Sequence, residues 1–147
     1  MKVLLQRVKQ GSVTIGGELY SSIGHGILAF IGIEKEDTEE IVQKAAKKAA
    51  SLRIFSDENG KMNKSLIDIG GEMLIVSQFT LCGDCRKGAR PSFDGAASPD
   101  TANMLYELFI KEINSLGIKT ASGKFRAMMD VELINDGPVT FMLEIRK

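Results

Sequence analysis

The feature that most constrains this chain is a Gly-Pro pair, Gly137-Pro138. It is set between two runs that otherwise read as strand, Val131-Glu132-Leu133-Ile134 and Val139-Thr140-Phe141-Met142-Leu143. Proline has no amide proton for a sheet ladder, and glycine loses the most backbone freedom on ordering, so neither belongs inside a strand for the sake of packing. The pair marks a turn, a cis bond or a site. Cis bonds make up only about 5–6% of X-Pro bonds in folded proteins, so a trans proline opening the second strand is the plain expectation. A second small-residue segment, Ser77-Gln78-Phe79-Thr80-Leu81, follows the apolar run from Met73. Together the two segments point to a site made largely of backbone.

Around these segments the chain reads as one domain, residues 1–147, long enough to bury roughly two-thirds of the surface its unfolded form exposes. The start, Val3-Leu4-Leu5 broken by Gln6 and Arg7, does not resemble an export leader. The longest apolar stretch, residues 27–33, falls well short of the roughly 20 residues a membrane span needs. A cytoplasmic protein is expected, with no membrane partner. Nineteen basic residues balance nineteen acidic ones, so no global field draws the chain onto long nucleic acid, and a DNA-coating role is disfavoured. An enzyme that grips only an RNA end remains compatible, because stacking and a few local contacts suffice there. The local basic clusters, Lys44-Lys47-Lys48 and Arg86-Lys87-Arg90, read equally well as solvated surface.

The order of elements predicts an α+β fold: a mixed, largely antiparallel, barrel-like sheet with two main helices packed on it. Val3–Val8 and Val13–Ile15 read as strands, and Gly16-Gly17 turns the second into a hairpin through Leu19 and Tyr20. A buried strand is expected over residues 27–33. Asp37 and Glu40 form a capping-box-like start for a helix along Ile41, Ala45, Ala49 and Leu52. Met73–Leu81 is the next expected strand, followed by a long substrate-side loop, Cys82 to Ser98. Ser98-Pro99 caps a second helix with Leu105, Leu108, Phe109 and Ile113 on its apolar stripe and Gly117 at its end. One strand is expected on each side of Gly137-Pro138.

The usual side-chain chemistries have little support. His25 is the only histidine and lies between glycines in a turn, so every triad reading rests on a residue that a surface turn explains. Cys82 and Cys85 have redox-pair spacing, but they leave a strand into a loop, and a zinc site needs about four ligands. Reduced, incidental cysteines are expected. Gly60-Lys61 lacks the preceding glycine of a phosphate-binding loop. What remains is Ser77 to Thr80. In a plain strand, Gln78 and Thr80 share one face, which is either a pocket or a half-exposed sheet surface.

Ser77-Gln78-Phe79-Thr80 and Asn135-Asp136-Gly137-Pro138-Val139-Thr140, with Leu52-Arg53-Ile54-Phe55 and Gly60-Lys61-Met62-Asn63 ahead of them and the segment from Gly88 to Phe93 between them, resemble the D-aminoacyl-tRNA deacylases over nearly the whole chain. The resemblance implies hydrolysis of the ester of D-aminoacyl-tRNA, and of mischarged glycyl-tRNA, with no cofactor and no metal. It implies a homodimer with active sites at the subunit interface, each holding the 3′-terminal adenosine of the tRNA. Ser77, Gln78, Phe79 and Thr80 would form the catalytic segment. Gly137 and Pro138, in a cis bond braced by Arg7, would reject L-aminoacyl esters. Phe125, Met129 and Asn135 would contact substrate. One departure stands out: Arg126 occupies the position where the family usually has glycine, between Phe125 and Ala127. Two other readings are weighed: a noncatalytic module that binds an RNA end, and a thiol redox protein using Cys82 and Cys85.

Overall fold

The computed structural model describes residues 1–146. Its elements in chain order are β1 (Lys2–Ile15), β2 (Glu18–Ile23), β3 (Gly26–Gly32), α1 (Glu39–Ser51), β4 (Phe55–Ser56), β5 (Met62–Lys64), β6 (Glu72–Ser77), α2 (Pro99–Ser115), β7 (Lys119–Ser122) and β8 (Asp130–Glu144). The two segments expected at Val3–Val8 and Val13–Ile15 are one strand, β1. It turns into β2 through Gly16 and Gly17, both at positive φ, as a two-residue hairpin requires.

β1 organises the sheet. One edge pairs antiparallel with β3 over residues 2–8 and with β2 over residues 11–15, and the other edge pairs with β8 along nearly its full length. β3, β6 and β7 then run parallel, joined by crossovers that carry α1 and α2. The sheet is therefore mixed. β2 comes round to β7, where Ser21 Oγ donates to the Ser122 carbonyl at 2.7 Å. That side-chain bond, in place of a ladder, brings the barrel-like sheet near closure.

Strand alternation sorts the apolar residues into two cores. Ile27, Ala29, Ile31, Met73 and Ile75 face the helices and meet Ala45, Ala46, Ala49, Leu105, Phe109 and Ile113. Leu28, Leu74 and Val76 face the barrel interior with Val8 and Val13. β3 is buried on both faces, which explains its unbroken apolar run. Each fully buried large aliphatic side chain contributes about 1.5–3 kcal/mol, so these two layers dominate stability.

Three local expectations change. The cap of α1 is Thr38, whose hydroxyl accepts from the Ile41 amide. Asp37 is engaged elsewhere: its carboxylate takes the Met1 ammonium at 2.6 Å and the Glu34 amide at 2.7 Å. The strand from Met73 ends at Ser77, and residues 79–82 form a 3-10 turn. The two strands expected around Gly137-Pro138 are the single strand β8, interrupted by a bulge. α2 begins as expected, with Ser98 Oγ accepting from the Thr101 amide and proline in the first turn.

Candidate active site

The bulge in β8 is large. Gln6 pairs with Thr140 and Val8 with Asn135, so the four residues Asp136 to Val139 stand opposite Arg7 alone. The Gly137–Pro138 bond is cis, and Gly137 has φ +154°, where a Cβ would lie 2.6 Å from both the amide nitrogen and Cγ2 of Val139. Asn135 spans the base of the bulge. Its Nδ2 donates to the carbonyls of Arg7 (3.1 Å) and Val139 (3.0 Å), and its Oδ1 accepts from the Val139 amide (3.1 Å). Arg7 Nε donates to the Asp136 carbonyl at 2.9 Å, and Nη1 donates to the Ile54 carbonyl at 2.6 Å. The side chain of Val139 is buried while Gly137 and Pro138 are exposed. The tip thus projects into solvent from a base fixed by five hydrogen bonds.

Asn135 was expected to touch substrate, but in this structure its amide is occupied with backbone on both sides of the bulge. His25, read from sequence as an unremarkable turn residue, joins the same base. Its Nε2 lies 3.6 Å from Asp136 Oδ2, and its ring stands edge-on to Phe55 at 5.4 Å. No local pattern in the sequence announces that contact, because its partner is 111 positions away.

The segment Ser77 to Thr80 is built differently. The Gln78 amide still donates to Ile31 of β3 at 2.8 Å, and the chain then coils, with the Leu81 amide on the Gln78 carbonyl and the Gly83 amide on the Thr80 carbonyl. Phe79 and Thr80 supply the first amides of that turn, which cannot bond within it. Both residues are exposed. Strand alternation therefore does not hold at Gln78, yet the turn brings its side chain onto Thr80, with Gln78 Nε2 donating to Oγ1. An amide donor cannot take a proton from that hydroxyl, so Thr80 has no activating base in this contact.

Gly32 permits the turn. A Cβ there would lie 2.9 Å from Leu81 Cβ and 3.1 Å from Cys82 Sγ. The Phe79 ring leans on Phe93 at 5.0 Å, which ties the turn to the long loop. Cys82 and Cys85 are both free thiols. Burial pushes the Cys82 thiol up, and its Sγ lies on the Ile33 carbonyl at 3.4 Å, an environment that suppresses thiolate chemistry.

Phe125 and Met129 border the same end of β6. The Gly123 amide donates to Ile75 at 3.0 Å, and a turn closed by Ala127 on the Lys124 carbonyl follows. Phe125 packs 6.1 Å from Tyr106, whose hydroxyl donates to the Ile75 carbonyl at 2.7 Å and whose burial raises its phenol pKa. Met129 fills the space beside Gly123.

The two signature segments do not meet within one chain. Arg7, opposite the bulge, pairs with Ile27 and Ile27 with Met73, whereas Ser77 pairs with Ile31. The bulge and Ser77 are thus four residues apart along the strand direction and three strands apart across it, a separation on the order of 20 Å.

This backbone-lined turn on a nearly closed mixed sheet defines a class of fold shared with solved structures. A c-Myc DNA unwinding element binding protein superposes with TM-score 0.94 at 41% identity over the whole of both chains. A structure described as a probable eukaryotic D-amino acid tRNA deacylase superposes at 0.86 over 98% of both, and at 21% identity it shows the fold alone. Sequence comparison narrows the class. Residues 4–144 match the family model described as D-Tyr-tRNA(Tyr) deacylase. The D-aminoacyl-tRNA deacylases of Desulfatibacillum aliphaticivorans and Bacillus cytotoxicus are 56% and 54% identical, each over 98% of this chain and 99% of theirs. The chain belongs to the D-Tyr-tRNA(Tyr) deacylase family, and its activity is that of a D-aminoacyl-tRNA deacylase, hydrolysis of the ester bond in translation proofreading.

Proposed function

We propose that the working enzyme is a pair of copies of this chain, each acting as one domain, in which the Gly137–Pro138 tip of one copy enters the Ser77–Thr80 site of the other. The observation that carries this reading is the separation of the two segments within one chain, together with a braced tip that has nothing of its own chain to act on. An unpaired copy would leave the tip in solvent and the turn unguarded.

In the composite site, the 3′-terminal adenosine sits between Phe125 and Met129 and its ester lies over the turn. Water attacks the ester carbonyl, and the resulting oxyanion takes hydrogen bonds from the exposed amides of Phe79 and Thr80. The carbon–oxygen bond to the ribose then breaks, the ribose oxygen takes the proton, and free tRNA and the D-amino acid leave. The vicinal ribose hydroxyl orients the water. A single oxyanion donor of this kind is worth about 10²–10³ in rate, which removes the need for a side-chain nucleophile. Ser77 supports the end of β6, and Gln78 and Thr80 contact the substrate through their linked polar groups. Asn135 and Arg7 act by holding the tip.

The tip distinguishes the enantiomers by exclusion. Backbone atoms of Gly137 and Pro138 fill the space an L side chain would occupy and leave the D side free, so D esters of many side chains pass, and glycyl esters pass too. The enzyme works in the cytoplasm, where aminoacyl-tRNA is made and used. The test is hydrolysis of D-tyrosyl-tRNA and L-tyrosyl-tRNA by the purified protein. Loss of the D ester alone is expected; equal cleavage of both overturns the filter, and cleavage of neither leaves an RNA-end-binding module.

A further inference from the structure

Arg126 is the only described residue other than glycine with a left-handed backbone, at φ 63°. It is the third residue of the turn closed by the Ala127 amide on the Lys124 carbonyl, the position at which such turns favour glycine because a Cβ is disfavoured there. Its side chain is exposed and, among the described residues, makes no hydrogen bond or ion pair; the same holds for the side chain of Lys124. Nothing within the described chain offsets the unfavourable backbone.

The neighbours of Arg126 are fixed. Phe125 packs on Tyr106, Met129 fills the space beside Gly123, and Gly123 is bonded to β6 just before Ser77. Arg126 therefore stands on a pinned turn at the rim of the Ser77–Thr80 site, with its guanidinium uncommitted. Strain kept at such a place is a sign of function. The substrate is a polyanion, and a chain with no net charge must grip it through local cations. Guanidinium matches phosphate in geometry as well as charge.

We propose that Arg126 pairs with a backbone phosphate in the single-stranded acceptor end of bound tRNA, with Lys124 adding to the local field. This rests on the deacylase reading of the site, and the test keeps the two apart. Binding of uncharged tRNA is measured by fluorescence anisotropy across a salt series for the full chain and for Arg126→Gly, with thermal unfolding alongside. Hydrolysis of D-tyrosyl-tRNA by the wild type is followed separately and reports only on the deacylase reading.

Arg126→Gly should raise Tm by about 2–4 °C, since glycine accepts the backbone conformation. It should weaken tRNA binding about tenfold and make the slope of log affinity against log salt shallower by about 0.7, the share of one single-strand phosphate contact. In turnover it should raise KM and leave kcat unchanged. Arg126→Asn, which also tolerates a left-handed backbone, should lose the same slope and guards against a folding artefact. Wild-type affinity and slope in both variants would overturn the proposal, as would a fall in kcat with unchanged KM.

Discussion

The Gly137–Pro138 bulge and the Ser77–Thr80 turn each interrupt a strand, and they are secured by opposite means. The bulge is held by side chains: Asn135 bridges its base and Arg7 fixes the Asp136 carbonyl, so a rigid tip of two residues projects with no chemistry of its own. The turn is held by backbone proximity. Gly32 lets it settle on β3, and what it presents outward is a pair of free amides. Side-chain clamps give a fixed shape, and an uncovered turn gives fixed donors. In the proposed mechanism the first selects and the second stabilises charge.

That contrast can be broken at either end. The largest effect is expected at the tip: Gly137→Val puts a branched side chain where even a Cβ meets Val139 at 2.6 Å. D-tyrosyl-tRNA hydrolysis should fall by at least about 10²-fold while the thermal transition stays cooperative. Unimpaired hydrolysis would show that the tip does not enter the site. Next comes Gly32→Ala, whose Cβ would stand 2.9 Å from Leu81 Cβ. Lifting the turn off β3 should cost about 1–3 kcal/mol in urea unfolding and lower kcat more than it raises KM.

Asn135→Ala sharpens the comparison from the other side. It leaves the Val139 amide and two carbonyls without their partner, a cost of about 1–3 kcal/mol. Its functional signature should be leakage: L-tyrosyl-tRNA becomes a substrate while the D ester is still cleaved. Continued rejection of the L ester would mean that the clamp is structural only. The smallest effect belongs to Thr80→Ala. The amides stay in place when the hydroxyl goes, so kcat should drop less than about tenfold, and complete loss of turnover in a folded, substrate-binding variant would count against the backbone mechanism.

Local pattern disclosed the hairpin at Gly16-Gly17, the doubly buried β3 and the start of α2, because each is decided by residues next to one another. It failed where a distant group intervened. Asp37 looks like a helix cap until the Met1 ammonium claims it, and the strand after Met73 looks continuous until Gly32, from another strand, admits the 3-10 turn. β8 survives its Gly-Pro pair because β1 pairs with it on both sides of the bulge. The site segments themselves were legible as motifs. The Arg7 brace was legible only through the family resemblance, and the links that Asn135 and His25 make around the bulge were not legible, since each joins residues far apart in sequence or carries a side chain across to backbone.

In the proposed enzyme one catalytic site draws on two chains, an arrangement that mixing of subunits can reveal. Gly137→Val and Gly32→Ala proteins, each expected to be impaired alone, would be unfolded together, refolded and assayed on D-tyrosyl-tRNA. If the tip of one copy serves the turn of the other, half of the pairs are mixed and each mixed pair contains one site with both parts intact. Activity should then rise to about a quarter of the wild-type value. A mixture no more active than its separate components would contradict the composite site.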